Sequence, residues 1–289
     1  MKKAGKFSIE ECEAFAQSNF QNLQLVYNFV EKYKNAITSV LPKPEVGFRD
    51  TCIKGLWSRI YFWLFSLNRL NATKDFQAFA SANRALLEIT VDLSLLHKDS
   101  TNSSGWKMHW WGLSEKLKAA EQIVKYFTEQ DLEVPNEYSE QKDFIDREKA
   151  NVLHMRKILW NDKHPNRWTG NGNLFDDLVV ADKFLGDSVI ELLKMSLTQY
   201  YRTEYRKMNW YVHSGVASFW NLPKEAFPLF SAFFLKSCAD FAFLSTQIVI
   251  KDFGLNAHLP NYLQEVENLN LDRLVTLFQN IESDISKIE

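Results

Sequence analysis

Glycine and proline are scarce here, with 10 and 7 residues in a chain of 289. All-β folds need many tight turns, and turns draw on those two residues, so the shortage argues for long helices. Cysteine is scarcer still. Its 3 copies, Cys12, Cys52 and Cys238, lie far apart with no Cys-x-x-Cys pair. Neither a disulfide framework nor a cysteine-based zinc site is indicated, and a reducing, cytoplasmic setting is expected. Net charge is small, at −2. That excludes a uniformly basic protein that coats nucleic acid and leaves room for a local basic site. The start, Met1 to Phe7, lacks the apolar run of a signal peptide. Residues 228–250 are very apolar, yet Lys236 and Asp240 interrupt them. Each charge costs about 2.5–3.5 kcal/mol at the centre of a membrane span, so a core helix is expected and no membrane association.

Several chemical signatures are missing as well. There is no phosphate-binding Gly-x-x-x-x-Gly-Lys-Ser/Thr loop and no Gly-x-Ser-x-Gly elbow. Gly170-Asn171-Gly172 has neither a third glycine nor a strand before it, so it is no dinucleotide fingerprint. None of the 6 histidines has a glutamate three residues before it, and no His-Glu-x-x-His occurs. The pattern therefore supplies no metal site and no cofactor.

What is present is helical. Hydrophobic residues make up 46% of the chain and aromatics 14%, enough to fill a substantial core. Ser8-Ile9-Glu10-Glu11 reads as a capping box opening a helix to about residue 40. Further helices are expected over about 51–70, 73–98, 106–135, 137–160, 174–184, 187–213, 224–252 and 261–287. The stretch 161–173 is the least helical part. The expectation is an all-α multi-helix bundle forming one domain over 1–289. Its core covers about 51–253, with the helices over 8–40 and 261–287 as candidate flanking arms.

Two segments concentrate charge in a chemically useful way. On the first, Arg84, Glu88 and Asp92 recur every four residues and share one helix face, within a segment apolar on its other sides. They form either an internal arginine–carboxylate network that fixes helix register or the lining of a polar pocket. On the second, Arg206 and His213 are seven residues apart, two helical turns, and so share a face about 10 Å apart along the axis. Arg202 lies one turn earlier, and Lys207 follows Arg206. Histidine exchanges protons near neutral pH, and arginine holds phosphate through a fork of donors. Together they suffice for metal-free RNA cleavage. The bland alternative is a helix-terminal His213 beside Gly215, with Arg206 paired to a carboxylate such as Glu88. A third stretch, 154–168, carries Arg156, Lys157, Lys163 and Arg167, with Trp168 at its end. It is either a guide for an RNA strand, with Arg167 and Trp168 as contacts, or a solvated loop anchored by one tryptophan.

Arg84-x-x-x-Glu88-x-x-x-Asp92-Leu93, then Trp168-Thr169-Gly170, then Tyr201-x-x-x-Tyr205-Arg206 leading to Val212-His213-Ser214 resemble a bacterial helical family, domain of unknown function number 5677. The resemblance covers roughly residues 76–219. The Arg206-to-His213 spacing is also similar to the Arg-x(4–6)-His motif of the HEPN superfamily (higher eukaryotes and prokaryotes nucleotide-binding). It departs from that motif at Lys207, where a polar residue such as asparagine is usual, and in the bulk of Trp210. The resemblance implies a HEPN-like core and a homodimer. Its composite site would use Arg206 and His213 catalytically, with Arg84 and Glu88 supporting them. It further implies metal-independent endoribonuclease activity in a toxin or antiviral-defence system, with a partner protein encoded in the same operon. Two other readings stay open: a non-catalytic interaction module that uses the same residues structurally, and a sensor that takes a nucleotide or phosphate in an Arg84/Arg206 pocket.

Overall fold

Ser8 starts the first helix with a reciprocal cap. Its amide donates to Glu11 Oε2 at 2.7 Å, and its hydroxyl accepts from the Glu11 amide at 3.2 Å. Two donors that a bare helix end leaves open are thereby satisfied. The structure, a computed structural model, describes residues 8–40, 47–99, 103–186, 189–190, 193–208 and 226–254, and no strand occurs among them. The helices are α1 (Ile9–Val40), α2 (Phe48–Leu67), α3 (Phe76–Lys98), α4 (Ser103–Glu129), α5 (Ser139–Trp160), α6 (Leu174–Leu185), α7 (Leu197–Tyr200) and α8 (Ala226–Asp252). The fold is all-α, as composition and periodicity lead one to expect. The helix expected over 261–287 lies outside the described residues.

One expected helix is broken. Instead of running from 187, the chain turns at Lys194, whose φ is +58°, and a new helix opens at Leu197. Ser196 caps it by accepting from the Gln199 amide at 3.1 Å. The Asp182 carboxylate, from α6, accepts from the Leu197 and Thr198 amides at 2.7 and 2.9 Å. A carboxylate on two open amides and a hydroxyl on a third make a favourable helix start, and the apolar pattern alone does not reveal it.

The contacts gather the chain into two compact units. One takes Met1–Leu41, Ile53–Lys98 and Leu178–Glu289, and the other takes Pro42–Cys52 and Asp99–Asp177. Two of its four boundaries fall inside α2 and α6, so no single linker marks the division.

In the larger unit, α1 and α3 both pack on α8. Phe15 and Ala16 of α1 meet Ala232, and Phe29 meets Phe243 with ring centroids 6.0 Å apart. From α3, Phe76 meets Phe227 at 5.2 Å, Asn83 Nδ2 donates to the Phe234 carbonyl, and Thr90 bonds Ser245 at 2.8 Å. Both series rise together along α8, so the three helices run in the same direction. Such neighbours need a return element, and α2 supplies it, with Tyr61 packed on Tyr27 and Lys34 of α1. The candidate arm α1 is a core member, burying Leu23, Val26, Val30 and Ile37 at 0–1% exposure. Each such side chain contributes about 1.5–3 kcal/mol of apolar burial.

Among the described residues, α8 alone is long and apolar enough to cross a membrane, and 78% of its most apolar window is buried within the protein. Lys236 Nζ meets Asp240 Oδ2 at 2.7 Å, and both residues are buried. Burial pushes the Asp240 carboxyl up, and the Lys236 ammonium pulls it back down.

The smaller unit is built on the antiparallel pair α4 and α5, closed by Leu117, Ala120, Phe144 and Val152, with Trp110 and Leu113 packed against them. Gly105 sits against the Arg49 backbone so closely that a Cβ would overlap it. Burial lowers the His109 pKa, and its ring lies 4.3 Å from that of Phe48.

Candidate functional site

Nearly every side chain of α3 between Phe79 and Leu96 is buried, and the exceptions are Ser81, Arg84, Ala85, Glu88 and Asp92. Their spacing of three and four places them on one stripe, the half-open face of an otherwise internal helix. The turn after α7 closes on that stripe. Tyr200 donates to Asn83 Oδ1 at 2.8 Å, and Asn83 is itself fixed to the Phe234 carbonyl at 3.2 Å. Burial raises the Tyr200 pKa well above its ordinary value, so this phenol remains a donor.

Tyr201–Tyr205 forms a π-helical turn, in which each amide reaches one residue further back than in an α-helix. The extra residue lets side chains four apart lie almost above one another. Tyr201 and Tyr205 accordingly stack, with centroids 4.9 Å apart and planes at 23°. Tyr205, 6% exposed, donates to Glu88 Oε1 at 2.6 Å and accepts from Arg84 Nη2 at 3.2 Å. The Arg84 guanidinium also sits 4.9 Å from the Tyr205 ring centre, and that of Arg206 sits 6.0 Å from the Tyr201 ring centre. The result is a ladder of cation, ring, ring and cation that begins on α3 and ends on the exposed Arg206. The Tyr205 pKa is pushed up to about 12, chiefly by burial and then by its bond to the negative Glu88. At neutral pH Tyr205 therefore holds its proton and can bridge both partners.

The structure thus brings Arg84 and Glu88 to the segment that carries Arg206, with Tyr205 as the link. Glu88 bonds Tyr205 rather than Arg206, and among the described residues Arg206 has no carboxylate partner. Arg202 and Lys207 are exposed on the same turn, Lys207 lying 3.4 Å from Glu204. His213 and Trp210 lie outside the described residues.

Arg167 and Trp168 belong to the other compact unit and are used internally there. Arg167 Nε donates to Asp177 Oδ2 at 2.8 Å, and the same carboxylate accepts from Asn171 at 2.7 Å. Trp168 is 3% exposed, so its ring faces are not open to a stacking base. Gly170, at φ +90°, packs close to Trp160 and helps close the loop.

Arg84, Glu88 and Arg206 stand out in the sequence, whereas the parts played by Tyr205, Tyr200 and Asn83 emerge only from the fold. The Tyr201-x-x-x-Tyr205 repeat beside Arg206 was the available signal. Among the described residues no group of three or more His, Cys, Asp or Glu side chains could hold a metal ion. No protein-family model, curated protein or solved structure matches the chain.

Proposed function

We propose that the chain is an RNA-binding, metal-independent endoribonuclease of HEPN-like type. It would act in the cytoplasm as a homodimeric toxin or antiviral-defence effector, alongside a partner protein from the same operon. The observation that carries the reading is the exposed Arg206, held next to a tyrosine anchored on both Arg84 and Glu88. A cation open to solvent and borne on a turn that is itself anchored to α3 suits a phosphodiester better than a folding contact.

In this scheme His213 takes the proton of a ribose 2′-hydroxyl. The 2′-oxygen attacks the neighbouring phosphorus, the bond from phosphorus to the 5′-oxygen breaks, and the 5′-oxygen leaves with the proton that the His213 imidazolium gives back. The products are a 2′,3′-cyclic phosphate and a 5′-hydroxyl. Arg206 stabilises the extra charge on the phosphoryl oxygens. Arg202 and Lys207, on the same turn, would hold flanking phosphates. Arg84 and Glu88 act through Tyr205 as positioning residues. The role of His213 rests on its sequence spacing from Arg206.

The test is RNA cleavage by chelator-treated protein, followed by analysis of the ends. Cleavage leaving cyclic phosphates is expected, with His213→Ala and Arg206→Ala each slower by about 100-fold or more at unchanged melting temperature. No cleavage by the intact protein, or equal cleavage by the variants, would overturn the reading.

One observation favours a second reading, a non-catalytic interaction module. Tyr205 is buried and both its hydrogen bonds are made, as in a lock between helices. Under it, Arg84→Ala lowers the melting temperature and no nuclease activity exists to be lost.

A further inference from the structure

A hollow lies in the larger unit, between the N-terminal half of α1 and the end of α2, with a volume of about 530 Å³. That lies within the usual range for small-ligand sites, about 300–1,000 Å³. Its lining has an unusual composition for a chain in which 24% of residues are charged, because no charged side chain takes part. Phe20, Leu23, Leu67 and Leu70 supply an apolar floor, and the polar lining is carboxamide throughout: Gln17, Gln21, Gln24, Asn68 and Asn71.

Two fully buried carboxamides of the protein take part in folding. Asn19 bonds the Phe15 carbonyl, and Asn83 bridges Tyr200 and Phe234. Of those around the hollow, only Gln24 is engaged, donating to Asn28 at 2.8 Å. Gln17, Gln21 and Asn71 are exposed and Asn68 is half-buried, and among the described residues their side chains make no hydrogen bond within the protein, so a ligand meets them in exchange for water. Each offers a donor pair beside an acceptor, the pattern that pairs two-pronged with the edge of a nucleobase. The apolar floor suits the flat face of such a ring. The missing cations leave nothing for a phosphate, and the missing carboxylates leave nothing for an amine.

We propose that this hollow binds an uncharged nucleobase, read at its edge by the carboxamides of α1 and of the α2 end. It is separate from the Tyr205 ladder and does not depend on the ribonuclease reading.

The test is calorimetric titration of the full chain with adenosine, uridine and AMP, and with a short RNA oligonucleotide to tell a free nucleoside from a base in a strand. Saturable binding of at least one nucleoside is expected, with AMP no tighter than adenosine. The doubly substituted Gln21→Leu/Asn68→Leu protein, its fold checked by circular dichroism, should bind about tenfold more weakly or worse, as two lost hydrogen bonds require. Oligonucleotide binding that is also weakened by this variant would identify a base in a strand as the ligand. No saturable nucleoside binding, tighter binding of AMP than of adenosine, or unchanged affinity in the variant would each overturn the proposal.

Discussion

Arg167 beside Trp168 and Arg206 beside Tyr205 are the same local pattern, an arginine next to a large ring in a basic stretch. In the smaller unit the pattern closes on itself. Arg167 is paired with the buried Asp177, and Trp168 is 3% exposed. In the larger unit only the ring is buried, and Arg206 remains exposed. The partner decides the difference. A carboxylate ten residues along the chain neutralises Arg167, whereas beside the second pattern Glu88 is taken by the tyrosine hydroxyl and Glu204 by Lys207. A basic stretch in a sequence is therefore a candidate site only where folding leaves its charge unspent.

The comparison can be broken most sharply at Asp177. Asp177→Ala removes the buried counter-charge of the partly buried Arg167 and should cost about 3–5 kcal/mol in urea unfolding. A loss under about 1 kcal/mol would place that pair with ordinary surface ion pairs and undo the contrast. The buried Lys236–Asp240 pair sharpens the same point. Asp240→Ala alone should destabilise by about 3–5 kcal/mol, while Lys236→Met with Asp240→Leu should be neutral or stabilising by up to about 4 kcal/mol. Thermal melts of the single and double variants separate the two outcomes.

Smaller effects are expected at the half-open site. Tyr205→Phe removes one donor and one acceptor and should cost about 1–3 kcal/mol. It should also change the alkaline limb of stability. The folded-state pKa of Tyr205 is raised from 10.0 to about 12. Its contribution is thus fully present below the ordinary phenol range. Between those values the unfolded chain loses a proton that the folded protein keeps, so stability falls as pH rises through the folded value. Tyr205→Phe should flatten part of that fall, with Tyr200 retaining the remainder. An identical slope in both proteins would contradict the assignment.

The helical class and most helix positions were legible from composition, periodicity and the Ser8 cap. The stripe of Arg84, Glu88 and Asp92 was legible from its four-residue repeat. The break before Leu197 was not, because Asp182 caps that helix from another element, and a carboxylate 15 residues away leaves no local pattern. The π turn was hidden too, since its extra residue shifts side chains without changing the apolar spacing. Arg167 and Trp168 looked like surface contacts because their partners, Asp177 and the packing around Trp160, are set only by the closed loop.

Tyr205 physically joins α3 to the turn that carries Arg206. A double-mutant cycle on unfolding free energy, with Glu88→Gln, Tyr205→Phe and both together, measures that link directly. A coupling of about 0.5–3 kcal/mol is predicted, as for residues sharing one hydrogen-bond network. Strictly additive effects would mean that the two side chains do not interact and that the site does not exist as described.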